Sequence, residues 1–136
     1  KFKAEIFINQ LKDLNNAQRV DSIKQANDTD NLKDLSQIVS TASDLNNSMS
    51  ELKAKLKETV NPVKSSINYI NADYDLKRQF NKAVKDAREA LSKTKGANLN
   101  ERDIQGLSQA IDSTKDALNG EQRLAEAKEK SKQFIK

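Results

Sequence analysis

The sequence predicts an all-α, elongated, rod-like protein: two small three-helix bundles in tandem that share one long central helix. Three observations carry this reading. Only 3 Gly and 1 Pro occur among 136 residues, so turns are few and the elements between them are long. Apolar residues recur at steps of three and four along most of the chain, which is the period of a helix face. One such run, from Leu32 to Val60, contains neither Gly nor Pro and is too long for a single small bundle to cover.

The first predicted helix spans Phe2 to Leu14, with Ile6 or Phe7, Ile8, Leu11 and Leu14 on one face. Asn15 and Asn16 end it and start the next, since Asn both caps helix N-termini and tolerates the left-handed conformation of helix ends. A short second helix follows from Ala17 to Ala26, with Val20, Ile23 and Ala26 inward. The break Asn27–Asp30 offers Thr29 and Asp30 as caps. The spine then runs from Asp30 to Val60 through Leu32, Leu35, Ile38 or Val39, Ala42, Leu45, Met49, Leu52 and Leu56, roughly 46 Å at 1.5 Å per residue. The first two helices cover only its N-terminal half, so its C-terminal half requires a second set of partners.

Pro62 is placed just past the end of the spine. The connector from Val63 to Asn71 carries Ile67, Tyr69 and Ile70, too apolar for a plain solvent loop. Asp73 is the expected cap of a fourth helix to Ser92, lined by Leu76, Phe80, Ala83, Val84, Ala87 and Leu91. A loop holding Gly96 leads to Asn100, which caps a fifth helix to Leu118 with Ile104, Leu107, Ile111, Thr114 and Leu118 inward; Asp103 favours its N-terminal dipole. Gly106 inside that helix predicts a close helix contact. Asn119 and Gly120 end it, and a sixth helix begins at Glu121.

Composition narrows function. The absence of His and Cys removes the neutral-pH proton shuttle, the thiolate nucleophile, the disulfide framework and the usual zinc ligands. The twelve Ser have no His to activate them and no GxSxG motif occurs, so no catalytic residue and no enzyme activity is assigned. Asp73 and Asp75 flank Tyr74, but as a metal or acid–base pair they lack further ligands and a Gly at calcium-loop spacing, so they read as helix-start carboxylates. No metal and no cofactor site is assigned. Tyr69 and Tyr74 read as residues that pack the connector onto the bundle.

The net charge is +4, from 24 basic and 20 acidic residues. Up to Val60 the two signs balance, so the excess lies wholly in the second part. There too the signs interleave, as on a solvated helix face, so no nucleic-acid partner is expected. Lys53, Lys55, Lys57 and Lys64 gather near the end of the spine, among Glu51 and Glu58, and read as such a face. No apolar stretch approaches the ~20 residues of a bilayer span, so no membrane insertion is expected. The chain opens at Lys1 in what reads as mid-helix, as an excised piece of a longer protein would.

The end of the chain echoes its start. Lys128, Lys130, Phe134 and Ile135 line up with Lys1, Lys3, Phe7 and Ile8 at an offset of 127, as one period of a repeat array would. Residues 1–45 resemble a GA module, a three-helix bundle, through Phe7–Leu11, Val20-x-x-Ile23-x-x-Ala26 and Thr29-x-x-Leu32-x-x-Leu35-x-x-Ile38. Residues 46–119 are similar to a FIVAR domain, through Tyr69–Tyr74 followed by Phe80-x-x-Ala83-Val84-x-x-Ala87-x-x-x-Leu91. Residues 120–136 then read as the start of the next repeat's first helix. Together with Leu14–Gln18, Asn68–Asp73 and Ala117–Gly120, this order resembles one repeat of the giant staphylococcal extracellular-matrix-binding surface proteins.

The resemblance implies an extracellular, cell-wall-attached adhesin whose repeats bind host fibronectin weakly and support attachment and biofilm formation, with neighbouring repeats of the same chain as further partners. A purely structural stalk repeat is the alternative it leaves open. GA modules that bind albumin use a largely apolar patch around the second helix. Here that helix is expected to face outward with Gln18, Arg19, Asp21, Ser22 and Gln25, behind a loop carrying Asn15 and Asn16, so serum albumin is not carried over as a partner. The residues that contact a ligand are not legible.

Overall fold

The computed structural model describes residues 2–134. They form seven helices: α1 (Phe2–Asn9), α2 (Asn16–Asp28), α3 (Leu32–Lys64), α4 (Ile67–Ile70), α5 (Tyr74–Leu91), α6 (Glu101–Asp116) and α7 (Gly120–Phe134). No strand occurs among the described residues. The N-terminal half of α3 packs with α1 and α2, and its C-terminal half with α5 and α6, while α4 bridges α3 and α7. Two three-helix bundles therefore share one helix of 33 residues, about 50 Å long.

Along α3 the buried positions are Ala42, Leu45, Ser48, Met49, Leu52, Leu56 and Val60, spaced three and four apart through the middle of the helix. The expected break-free spine is observed, and because its apolar stripe is continuous the two bundles share one core, from Ala4 in α1 to Leu118 beyond α6. Phe80 is fully buried and meets Tyr69 edge-on at 6.0 Å between ring centres, which seats the connector on the second bundle. The Tyr69 hydroxyl reaches the Asn81 side chain.

Several details depart from the expectations. Helix α1 stops at Asn9 rather than Leu14, because Arg19 donates to the carbonyls of Ile8 (2.7 Å) and Leu11 (2.5 Å), and the Asp13 amide turns to the Asn46 side chain at 2.8 Å. The α3 cap is Asn31, whose Oδ1 accepts from the Lys33 and Asp34 amides, in place of Thr29 or Asp30. Pro62 lies inside α3 rather than beyond it. In the last turn its missing N–H frees one carbonyl, that of the exposed Glu58, which water can satisfy.

Leu32, placed inward by periodicity, is 80% exposed, and Val20 is 66% exposed. Tyr74 projects into solvent and does not pack the connector. Asp73 stands at the α5 N-cap but makes no capping bond with its side chain. Gly106 is exposed, and a Cβ there would meet nothing within 4 Å, so the expected close contact is absent. In the alignment of Lys128–Ile135 with Lys1–Ile8, Lys1 and Ile135 lie outside the described residues.

Two outcomes follow for stability. Gly106→Ala fills open space at an interior helical position and should stabilise the fold by about 0.5 to 1 kcal/mol in urea unfolding; destabilisation would show an unseen contact. Phe80→Ala should cost about 3 to 5 kcal/mol, and Leu35→Ala less, because Leu35 is only half-buried. An equal loss from both would contradict the burial pattern.

Candidate functional site

The surfaces available for recognition are set by where the bundles are locked together, so the locks come first. At the waist, the α1–α2 loop meets the loop between α5 and α6. Asn15 is fully buried. Its Nδ2 donates to the carbonyls of Ala90 and Ala97, both at 2.9 Å, and its Oδ1 accepts the Gln18 amide at 2.9 Å. Gln18, also fully buried, returns a bond from the Asn15 amide to its Oε1 and donates through Nε2 to the Leu99 carbonyl at 3.1 Å. The Asn16 amide donates to the Lys93 carbonyl at 3.0 Å. A pair of amides thus caps α2 and at the same time stitches it to the second bundle, and among the described residues no buried side-chain nitrogen or oxygen lacks a partner.

Gly96 makes this approach possible. A Cβ on it would fall 2.5 Å from the Ala90 carbonyl oxygen and 2.7 Å from that of Ser92, with the Asn15 side chain closer still. Lys93 closes the rim, its Nζ donating to the carbonyls of Lys12 and Leu14. Burial, followed by the Arg19 charge, lowers the Lys93 pKa. A lysine lowered in the fold costs stability in full at neutral pH, and that cost fades as pH climbs from the lowered value to the ordinary one.

The waist corrects the reading of the second helix. Gln18 and Ser22 are buried, and the Arg19 guanidinium is spent on α1 carbonyls, so of the five residues expected to face outward Gln25 is the one fully exposed. Asn15 belongs to the interior and Asn16 to the surface.

A second lock sits at the other end. Gly120 lies against the backbone of α4, within reach of the Asn68 and Ile67 carbonyls, and the Glu121 amide donates to Asn68 Oδ1 at 3.1 Å. Asp73, freed from capping, accepts from Asn119 Nδ2 at 2.8 Å and pairs with Arg123 at 3.3 Å. Arg123 also donates to the Asn71 carbonyl. Asp75 instead faces Arg78 in an exposed pair, so the two carboxylates flanking Tyr74 are turned to different partners. Beyond this joint, residues 125–132 of α7 are exposed.

Several surfaces remain open. Of the lysines gathered near the end of the spine, Lys55 is pinned to Asp112 on α6 at 2.6 Å, while Lys53, Lys57 and Lys64 are exposed. An apolar groove of about 350 Å³ runs between α1 and the start of α3, lined by Ala4, Phe7, Leu32, Leu35 and Val39. A larger cleft of about 810 Å³ lies where α2, α3 and the segment Asn98–Glu101 meet. Among the described residues no group of three or more His, Cys, Asp or Glu is placed to hold a metal ion, and no helix is long and apolar enough to cross a membrane.

Helical bundles strung on a shared helix and locked to each other by buried amides define a two-bundle helical module. The chain belongs to the FIVAR domain family, whose model matches residues 48–119, and residues 1–48 match the GA module. It is 38% identical over 128 residues to the extracellular matrix-binding protein ebh of Staphylococcus aureus (strain NCTC 8325 / PS 47), covering 94% of this chain and 1% of that protein. The identity is also 38% to EbhA of strain Newman, of which the chain spans 4%. The crystal structure of the 756–1003 domain of EbhA from Staphylococcus aureus superposes with a TM-score of 0.92 at 25% identity, over 98% of this chain and 55% of that one. A structure described with Embp-mediated Staphylococcus epidermidis adherence to fibronectin shares the fold, with a TM-score of 0.73 at 24% identity, over 86% of this chain and 92% of that one. The curated relatives are extracellular matrix-binding proteins, and the chain spans a small fraction of their length.

The waist generates a stability prediction. Asn15→Ala orphans the Ala90 and Ala97 carbonyls and removes the α2 cap, and should cost at least about 2 kcal/mol in urea unfolding. Gly96→Ala should also destabilise, since two backbone carbonyls and the buried Asn15 amide stand in the way. An Asn15→Ala midpoint indistinguishable from the parent would show that the amide does not lock the bundles.

Proposed function

We propose that this chain is one repeat of an elongated bacterial surface adhesin that binds fibronectin through weak contacts multiplied by number. The observation that carries the reading is one of proportion: a GA–FIVAR pair covers only 1% of a matrix-binding relative. A protein of that length has room for many such units, and avidity then exceeds single-site affinity without any new contact. Fibronectin enters from the Embp relative, which mediates adherence to it. In this reading residues 1–45 and 46–119 are the two working units and 120–136 open the next repeat, whose first helix is α7. The exposed polar face of α7 and its anchoring on α4 support that assignment. Cell-wall attachment and a part in biofilm formation belong to the same proposal. Serum albumin stays outside it, in keeping with the buried Gln18 and Ser22 on α2.

The ligand-facing contacts are polar and spread out. Interleaved charges on α5 and α6, tied into pairs such as Lys82–Asp86, offer many shallow contacts and no dominant field of one sign. Exposed ion pairs of this kind contribute about 0 to 1 kcal/mol each and are screened over about 10 Å at 0.1 M salt.

The test is a surface-binding comparison of one repeat with a tandem array on immobilised fibronectin across a salt series. The array should bind at least tenfold more tightly than the single unit, and both should weaken as salt rises. Equal binding by the two would remove the avidity argument. No binding by either would favour a spacer that projects other segments, a role the 33-residue spine also suits.

A further inference from the structure

The cleft at the waist has a composition unlike the rest of the surface. Asp21 and Asp28 on α2, Asp34 near the start of α3 and Glu101 at the start of α6 stand around it. Among the described residues that line it there is no Lys or Arg, although the chain as a whole carries +4. None of the four carboxylates is in an ion pair among the described residues; the two with side-chain hydrogen bonds accept them from the neutral Gln25 and Gln105. The floor is apolar, with Ala42 and Leu45 buried and Ile38 and Leu99 half-buried.

The cleft is also composite. One wall is α2 and the N-terminal half of α3, and the other is the segment held in place when Gln18 grips the Leu99 carbonyl. It is therefore present only while the two bundles are locked.

We propose that this cleft is a docking site for a basic peptide segment of a partner protein, one that sets Lys or Arg side chains against the four carboxylates and one or two aliphatic side chains on the Ile38–Leu45 floor. Charge complementarity carries the choice of occupant. A nucleic acid is repelled by the same carboxylates, and a metal ion lacks a converging ligand set. The cleft lining carries acidic and no basic side chains, so it gives orientation as well as affinity. The inference deepens the binding-module reading, naming the partner's chemistry rather than the partner.

The probe is a synthetic seven-residue peptide alternating Lys with Leu, blocked at both ends, titrated at 50 mM salt into the isotopically labelled chain and followed by amide NMR shifts. Amides of Ser22, Thr41, Asn98 and Leu99 should shift together and saturate. The triple substitution Asp21→Asn, Asp34→Asn, Glu101→Gln should weaken binding at least tenfold. The distant pair Glu126→Gln, Glu129→Gln on α7 should change it less than twofold. Thermal melts of both variants confirm that the fold is kept, since Asp34 and Glu101 also favour helix N-termini. Replacing Leu by Ser in the peptide should weaken it at least fivefold.

Shifts scattered over the surface, unchanged affinity in the triple variant, or equal binding of the Ser peptide would each overturn the cleft. Because the peptide is not taken from a matrix protein, its failure leaves the fibronectin assay unaffected. Failure of that assay likewise leaves these resonances unmoved.

Discussion

The way the two bundles sit against each other depends on one buried amide. A chain with 4% aromatic residues has little bulk with which to fix two bundles against each other, and a 33-residue helix joining them is free to bend where its partners change. Asn15 removes that freedom. Its side chain spans the change of partners, accepting from α2 on one side and donating to the carbonyls of Ala90 and Ala97 on the other. Apolar contacts are non-directional, whereas hydrogen bonds from a fully buried amide fix an angle, because any rotation strands two carbonyls away from water. The orientation of the bundles, the position of the Asn98–Glu101 wall and hence the shape of the cleft all descend from it.

The sequence made the spine legible because its signal is long and redundant: a stripe from Ala42 to Val60 survives the misplacement of any one residue, as it survived that of Leu32. The α6 cap was legible for a related reason, since Asn100 and Asp103 sit at the spacing of a reciprocal cap, and both bonds are formed. The α2 face was not. Periodicity counts apolar residues as inward, and so chose Val20, Ile23 and Ala26, while the buried ridge is Asn15, Gln18, Ser22 and Ala26. Those positions have the same three-to-four spacing, but the interior partners of Asn15 and Gln18 are carbonyls more than 70 residues away in sequence, which no local pattern reports. Asp73 was misread similarly. A carboxylate before a helix is usually its cap, yet here Asn119 and Arg123 lie nearer.

The glycines show the same division between local and distant causes. Gly106 sits where helical propensity alone predicts a penalty, and nothing in the fold offsets it. Gly96 and Gly120 sit in what read as ordinary turn positions. In fact they are the two points where backbone meets backbone, at the waist and at the joint to α7. Each is paired with an asparagine that supplies the directional bond, Asn15 for the first and Asn68 for the second. A glycine to permit approach and an amide to fix it is a coupling device used twice in one repeat.

That device bears on how such a repeat works in an array. If every junction is locked by side-chain amides, force applied along the chain is passed from α3 through the waist to α5 and α6, and through α4 to α7, rather than absorbed at a flexible linker. A surface protein built this way holds its binding faces at fixed spacing and orientation. Fixed spacing raises the effective concentration of neighbouring sites when the target is itself regularly displayed, and lowers it when spacing and target do not match. In the proposed adhesin, weak polar faces are no defect, because a rigid array discriminates a dense matrix from a single soluble molecule by geometry, which a tight individual site would not do.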